Sequence, residues 1–397
     1  MVTLNQQTAA DLWKNRADRV PESGGQLKLV TLNMGPQHPS THGVLRLKVT
    51  LEGEVVRQVE PVIGYLHRGV EKLFEDGSYL QAIPLTDRLD YVAAMHNNYA
   101  LVHAVEKMAG IQVPERAQYL RALTMEVQRI ASHYLWMGTF GLDLGAVTPF
   151  FWAMRDREGA LGLMERMCGA RLTYNYYRFG GLKNDMSPEL IRDCGRYAKY
   201  VRERIPEFEN VFTDNDIFQM RTQGVGKLSK ETALSYGVSG PLARASGIDF
   251  DLRRDDPFNP VYQKVNWKVI TSNRGDCYGR YLVRVAEMYQ SLNIIEQIVA
   301  DMPEKGDYLA PEVGAGARQH RVKGPEKAEV YGRVESAKGE MGVYICSDGT
   351  NRPYRMKWRP ATLVNLAPLN DMCIGQKVPD LVATLGSIDI VLGDIDR

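Results

Sequence analysis

The loop Gly35-Pro36-Gln37-His38-Pro39-Ser40-Thr41-His42-Gly43 sets two imidazoles four positions apart among two prolines and two glycines. On a helix that spacing would suit a metal ion, but Pro39 between them makes a helix there unfavourable. What remains is a rigid turn. It either bonds its histidines to its own backbone or presents a neutral imidazole that hydrogen-bonds or protonates a ligand carbonyl. A second segment, Gly64-Tyr65-Leu66-His67-Arg68-Gly69-Val70-Glu71-Lys72, reads by itself as a helix start with a solvated basic face. In a third, Leu85-Thr86-Asp87-Arg88-Leu89-Asp90-Tyr91, the phenol of Tyr91 is either half-buried core or a weak acid of pKa about 10 offered to a ligand. His96 and His103 follow on the next helix. Asp143, in Gly141-Leu142-Asp143-Leu144-Gly145, is a helix cap or, beside an imidazole, the carboxylate that orients the ring and stabilises its charge. The last segment, Ser387 to Arg397 with Asp389, Val391 and Asp394, reads as a docked tail.

Two features mimic nucleotide sites and fail on chemistry. Gly224-Val225-Gly226-Lys227 is followed by Leu228 where a phosphate-binding loop needs Ser or Thr, and Arg221 stands where its first glycine belongs. No G-x-G-x-x-G follows a predicted strand, so a nicotinamide or flavin site is not indicated. The five cysteines, Cys168, Cys194, Cys277, Cys346 and Cys373, lie at least 26 positions apart. Such scatter suits a reducing compartment and does not provide the clustered thiolates of an iron–sulfur centre.

The elements that must position these groups show in the periodicity. Leu45, Leu47, Val49 and Leu51 alternate with Arg46, Lys48, Thr50 and Glu52, and Gly53 turns the chain into Val55–Val62, which predicts a β-hairpin. From about 66 to 210 the spacing is helical. Pro114 is expected at a first helical position, Thr148-Pro149 at the start of another helix, and Ser187-Pro188-Glu189 at the cap of a third. A long helix is predicted over 279–302, then a Gly/Pro-rich loop near 311–326 and short strands around 329–335, 342–348 and 353–359. The class expected is α+β: a mainly helical core with small sheets in the N- and C-terminal parts. Four parts are expected: a polar extension at 1–28, a hairpin region at 29–65, a helical core at 66–310 and a C-terminal α/β segment at 311–397 folded back on it. With 49 basic and 48 acidic residues, nothing favours nucleic acid as a partner. No apolar run is long enough to span a bilayer. The N-terminus, with Asp11, Asp18 and Glu22 and no apolar stretch, is expected to be neither a secretory signal nor a transit peptide.

Taken in order, the segments from Gly35 to Gly43, Gly64-Tyr-Leu-His-Arg-Gly69, Asp87-Arg-Leu-Asp-Tyr91, Arg129-Ile-Ala-Ser-His133, Thr148-Pro-Phe-Phe151, Arg244-Ala-Ser-Gly247, Ser336-Ala-Lys-Gly-Glu340 and Gly393-Asp-Ile-Asp-Arg397 form a distinctive series. It resembles the 49-kDa (D) subunit family of respiratory complex I, from about residue 28 onward. The resemblance implies the fold of nickel–iron hydrogenase large subunits, whose metal-binding cysteine positions match Asp90, Ala93, Val391 and Asp394 here. Asp, Ala, Val and Asp cannot build a soft-metal site. The vacated cavity is therefore implied to bind a quinone headgroup among His42, Tyr91, Ala93, Asp389 and Val391. By the same resemblance His42 and Tyr91 flank the headgroup and donate hydrogen bonds and protons to it. Asp143 orients and charges that histidine, and Arg68 and Arg88 lie near a 4Fe–4S cluster held by a partner.

The implied activity is that of a proton-pumping NADH:quinone oxidoreductase, present only in a complex with the cluster-carrying B subunit, the C (30-kDa) subunit and the membrane H subunit. The implied place is peripheral, on the cytoplasmic face of a bacterial inner membrane or the matrix face of a mitochondrial one. No metal or iron–sulfur ligands are expected in this chain. Hydrogenase chemistry is disfavoured by the missing cysteines, whereas a ferredoxin-fed complex stays open because electron input lies in other subunits. One departure stands out: the family often has a histidine where this chain has Thr173, in Arg171-Leu-Thr173-Tyr174-Asn175.

Overall fold

Alternating burial makes the predicted hairpin. Strand β1 (Leu29–Met34) pairs antiparallel with β2 (Arg46–Glu52), and β2 turns at Gly53, whose φ of +62° suits glycine, into β3 (Val55–Val62). This computed structural model describes residues 28–36 and 43–397. His38 and His42 and the lead-in at 1–27 lie outside those residues. Leu47, Val49 and Leu51 face inward and Lys48 outward, as the two-residue period requires. The third strand was not foreseen. β1 buries only Met34, so it has no buried face to write an alternation into its sequence.

Helices follow where the spacing predicts them: α1 (Val70–Asp76), α2 (Tyr79–Thr86), α3 (Ala94–Ala109), α4 (Glu115–Asp143) and α5 (Val147–Cys168). Pro114 is the N-cap of α4, one place earlier than expected. After the short pair β4 (Tyr177–Arg178) and β5 (Gly181–Leu182), Ser187 caps α6 (Pro188–Phe208), its hydroxyl accepting from the Leu190 N–H at 3.2 Å. Five short helices, α7 (Asp216–Thr222), α8 (Lys230–Tyr236), α9 (Gly240–Ala245), α10 (Leu252–Asp255) and α11 (Val261–Lys264), lead to α12 (Cys277–Asp301). α4 packs against α5 and α12, and α6 packs against the same two helices. α4 is buried around most of its circumference, as a helix in the middle of a bundle must be.

The C-terminal strands β6 (Ala328–Ser336), β7 (Gly339–Ser347) and β8 (Pro353–Arg359) form an antiparallel sheet in sequence order. α3 lies directly on it: a Cβ at Gly332 would sit 2.6 Å from Ala104, so only glycine permits this approach. The chain closes with α13 (Ala361–Leu366), α14 (Leu369–Cys373), α15 (Val378–Ile388) and α16 (Leu392–Asp396). Leu381, Leu385, Leu392 and Ile395 from these helices share a core with Leu47 and Val49. The fold is α+β, mainly helical with small antiparallel sheets. Among the described residues no helix is long and apolar enough to cross a membrane.

Candidate functional site

Between α2 and α3 the chain makes a run of turns at 87–93. Two asparagines at the start of α3 hold it from within. Asn97 Nδ2 donates to the carbonyls of Thr86 (2.8 Å) and Asp90 (2.9 Å), and Asn98 Nδ2 donates to Asp87 Oδ1 (3.0 Å). α4 adds Gln128, donating to the Val92 carbonyl at 2.7 Å. The first turn of α16 presses on this run from outside, because a Cβ at Gly393 would meet the Leu89 carbonyl oxygen at 2.5 Å. Thus Asp90 and Ala93 face Val391 and Asp394, and all four are buried.

Asp90 is paired with Lys338, a residue of the β6–β7 turn that is only 1% exposed, with Nζ 3.0 Å from Oδ2. The same ammonium lies 3.3 Å from Ser132 Oγ and 3.8 Å from Asp389 Oδ2. Burial disfavours the lysine's charge, but the carboxylates of Asp389 and Asp90 outweigh it and hold its pKa above the usual range. Asp389 ends α15 in the left-handed region, at φ +67°. Asp394 accepts from Trp358 Nε1 (3.2 Å) and Thr362 Oγ1 (2.7 Å), and burial together with the charge of Asp90 pushes its pKa up to about 6. Among the described residues no three His, Cys, Asp or Glu side chains are placed to hold a metal ion.

Tyr91 stands on top of this buried pair with 41% of its surface exposed. Partial burial and the neighbouring Asp90 raise its pKa, with Lys338 opposing, so the phenol stays protonated at neutral pH and acts as a donor. Two exposed arginines form the rim: Arg68 Nη2 donates to the Arg88 carbonyl at 2.8 Å, and Arg88 Nη1 to the Pro84 carbonyl at 2.5 Å. The segment carrying Arg68 is held by the last helix, where the Asp396 carboxylate accepts from the N–H groups of Gly64 (2.8 Å) and Leu66 (2.7 Å).

A family profile described as "Respiratory-chain NADH dehydrogenase, 49 Kd subunit" matches residues 143–397. The chain is also 48% identical over 367 residues to the NADH-quinone oxidoreductase D subunit of Dehalococcoides mccartyi strain 195, covering 92% of this chain and 98% of that protein. The chain belongs to the 49-kDa subunit family. The corresponding protein of Geobacillus thermodenitrificans, of the same name, is 47% identical over 365 residues, with 92% of this chain and 98% of the relative covered. That of Bacillus cereus strain ZK is 46% identical over 367 residues, with the same coverage.

In this 49-kDa family chain the segments from residues 64, 87, 336 and 389 onward converge as just described, and Asp143 contacts the helix that leads into Asp389. It ends α4 and lies against α15, where a Cβ at Gly386 would come within 2.5 Å of Asp143 Oδ2. His42 is outside the described residues, so its pairing with Asp143 has no geometry here. Two groups were missed in the sequence. Lys338, between Ala337 and Gly339, looks like an exposed turn lysine, and only the docking of that turn on residues 90 and 389 buries it. Asp87 is fully buried, accepting from Asn98 and, at 3.1 Å, from the Asn175 N–H of the segment that holds Thr173.

Burial pushes the Asp87 pKa up to about 7, against the pull of Asn98 and Arg88. A raised carboxyl pKa favours folding while the acid is protonated. That contribution is complete below the ordinary 3.8 and is lost as pH rises toward 7. Asp87→Asn is therefore expected to remove a fall in stability on the order of 3 kcal/mol between pH 4 and pH 8. Thermal unfolding of the assembled complex across that range would show it, and an unchanged pH slope in the variant would count against the assignment.

Proposed function

We propose that this chain forms the quinone headgroup pocket of a proton-translocating NADH:quinone oxidoreductase. The observation that carries the reading is Tyr91, a partly exposed, protonated phenol beside the buried Asp90–Lys338 pair. Ala93 and Val391 give apolar walls for a flat ring, while Tyr91 supplies a hydrogen bond and a proton to one carbonyl oxygen. His42, oriented by Asp143, would do the same at the other. Reduction adds two electrons and two protons to the quinone. The electrons reach the pocket through a 4Fe–4S cluster held by the B subunit, beside which Arg68 and Arg88 place positive charge that favours the reduced cluster. The C and H subunits complete the assembly, which sits peripherally on the cytoplasmic side of a bacterial inner membrane, or on the matrix side in a mitochondrion.

A photoreactive short-chain quinone added to the purified complex should label peptides containing Tyr91 or Val391, and excess unlabelled quinone should suppress it. Labelling confined to other segments or other subunits would sink the assignment. With Thr173 in place of the family's histidine, the cluster potential is expected to vary little between pH 6 and 9 in a redox titration. A steep slope over that range would count against this expectation.

A further inference from the structure

Behind the Asp90–Lys338 pair the interior remains ionic. Glu126, Arg129, Ser132 and His133 follow one another along α4 at helical spacing, all buried. Ser132 touches Lys338, and Arg129 donates at 2.8 Å each to the carbonyls of Glu335 and Ser336, just before that lysine. His133 Nε2 lies 3.3 Å from Glu287 Oε2. Arg244 then joins Glu287 (2.7 Å) to Glu335 (2.8 Å). The result is one continuous seam from the floor under Tyr91 to Arg244.

His96, on the first turn of α3, stands within this seam. It is fully buried, and neither Nδ1 nor Nε2 bonds any described atom; His133 Nδ1 and Arg244 Nη2 are likewise unpartnered. A neutral imidazole carries one N–H and one lone pair, and leaving each unmatched costs about 1–3 kcal/mol. Buried water supplies such partners where several polar groups converge, each molecule making about three hydrogen bonds. Burial and the facing cations of Arg129, Lys338 and Arg253, with His133 beside them, hold His96 uncharged. A neutral ring can take a proton at one nitrogen while releasing one from the other.

We propose that His96 carries a file of buried water linking the Lys338–Asp90 pair to the His133–Glu287–Arg244 end of the seam, and that this file returns protons to Tyr91 during quinone reduction. The proposal rests on the quinone reading above. When the O–H bond of Tyr91 breaks, its proton bonds to the reduced quinone's oxygen and a phenolate remains. A new O–H forms with a proton from the water beside Lys338. Each member of the file takes a proton from the next, and the proton given up is replaced from solvent. The two electrons come from NADH and travel through the complex, so no other reductant enters.

The test uses the assembled complex. A map that resolves ordered water is expected to show molecules within hydrogen-bonding distance of both His96 nitrogens. His96→Leu is expected to slow quinone reduction by about 10-fold or more and to raise its solvent deuterium isotope effect. NADH oxidation by a soluble one-electron acceptor, measured alongside, reports whether electron input is intact. A dry pocket in that map overturns the proposal, and should His96→Leu fail to assemble, the map alone decides. Wild-type quinone reduction with an unchanged isotope effect in His96→Leu also overturns it. If Tyr91→Phe is slow while His96→Leu is normal, the relay fails and the quinone site stands; if Tyr91→Phe is normal, the site itself fails.

Discussion

Tyr91→Phe is expected to lower quinone reduction by the complex about 100-fold or more, with NADH oxidation by a soluble acceptor unchanged. The size follows from what a positioned proton donor contributes, about 10²–10⁴-fold. The phenol is protonated at neutral pH because partial burial and Asp90 raise its pKa, so the wild-type group is a donor and the variant has none. Its hydroxyl bonds no other described residue, so phenylalanine keeps the ring's packing and leaves no buried partner stranded. Stability and assembly should therefore stay near wild type, which separates lost chemistry from lost structure. Short-chain quinones are the better probe, because a long tail adds binding energy away from the headgroup. A rate within twofold of wild type would remove Tyr91 from the mechanism.

Lys338→Met is expected to be the most damaging single change at the site, costing about 3–5 kcal/mol of stability. Methionine fills a similar volume, so the loss comes from charge. The ammonium holds Asp90 at 3.0 Å and Asp389 at 3.8 Å in a place closed to solvent. Removing it leaves the fully buried Asp90 carboxylate without its ion-pair partner, and the penalty of an unpaired buried charge exceeds the worth of the original pair. Asp90→Asn in the same chain should restore part of the loss. Thermal unfolding of the complexes carrying each single variant and the double variant would give the coupling between the two residues. Purely additive losses would mean that the pair is incidental to the fold.

Local burial patterns were readable in the sequence, and long-range meetings were not. The two-residue alternation at Leu45–Leu51 announced β2 because one face of that strand is buried and the other wet. Ser187-Pro188 announced the start of α6 because capping is a contact between residues three apart. β1 left no such trace, since nearly all of it is exposed. The order of the motifs pointed to the family, and the comparisons bear that out. Asp90, Ala93, Val391 and Asp394 could be named from that resemblance, but their meeting depends on Gly393 reaching Leu89 across about three hundred residues, a contact that no local period encodes. The states of the charged groups belong to the tertiary structure altogether. Lys338 in a glycine-flanked turn and Asp87 beside an arginine are ordinary surface residues by type. They become a buried ammonium and a carboxyl titrating near 7 only because packing removes their water and chooses which charges and donors replace it.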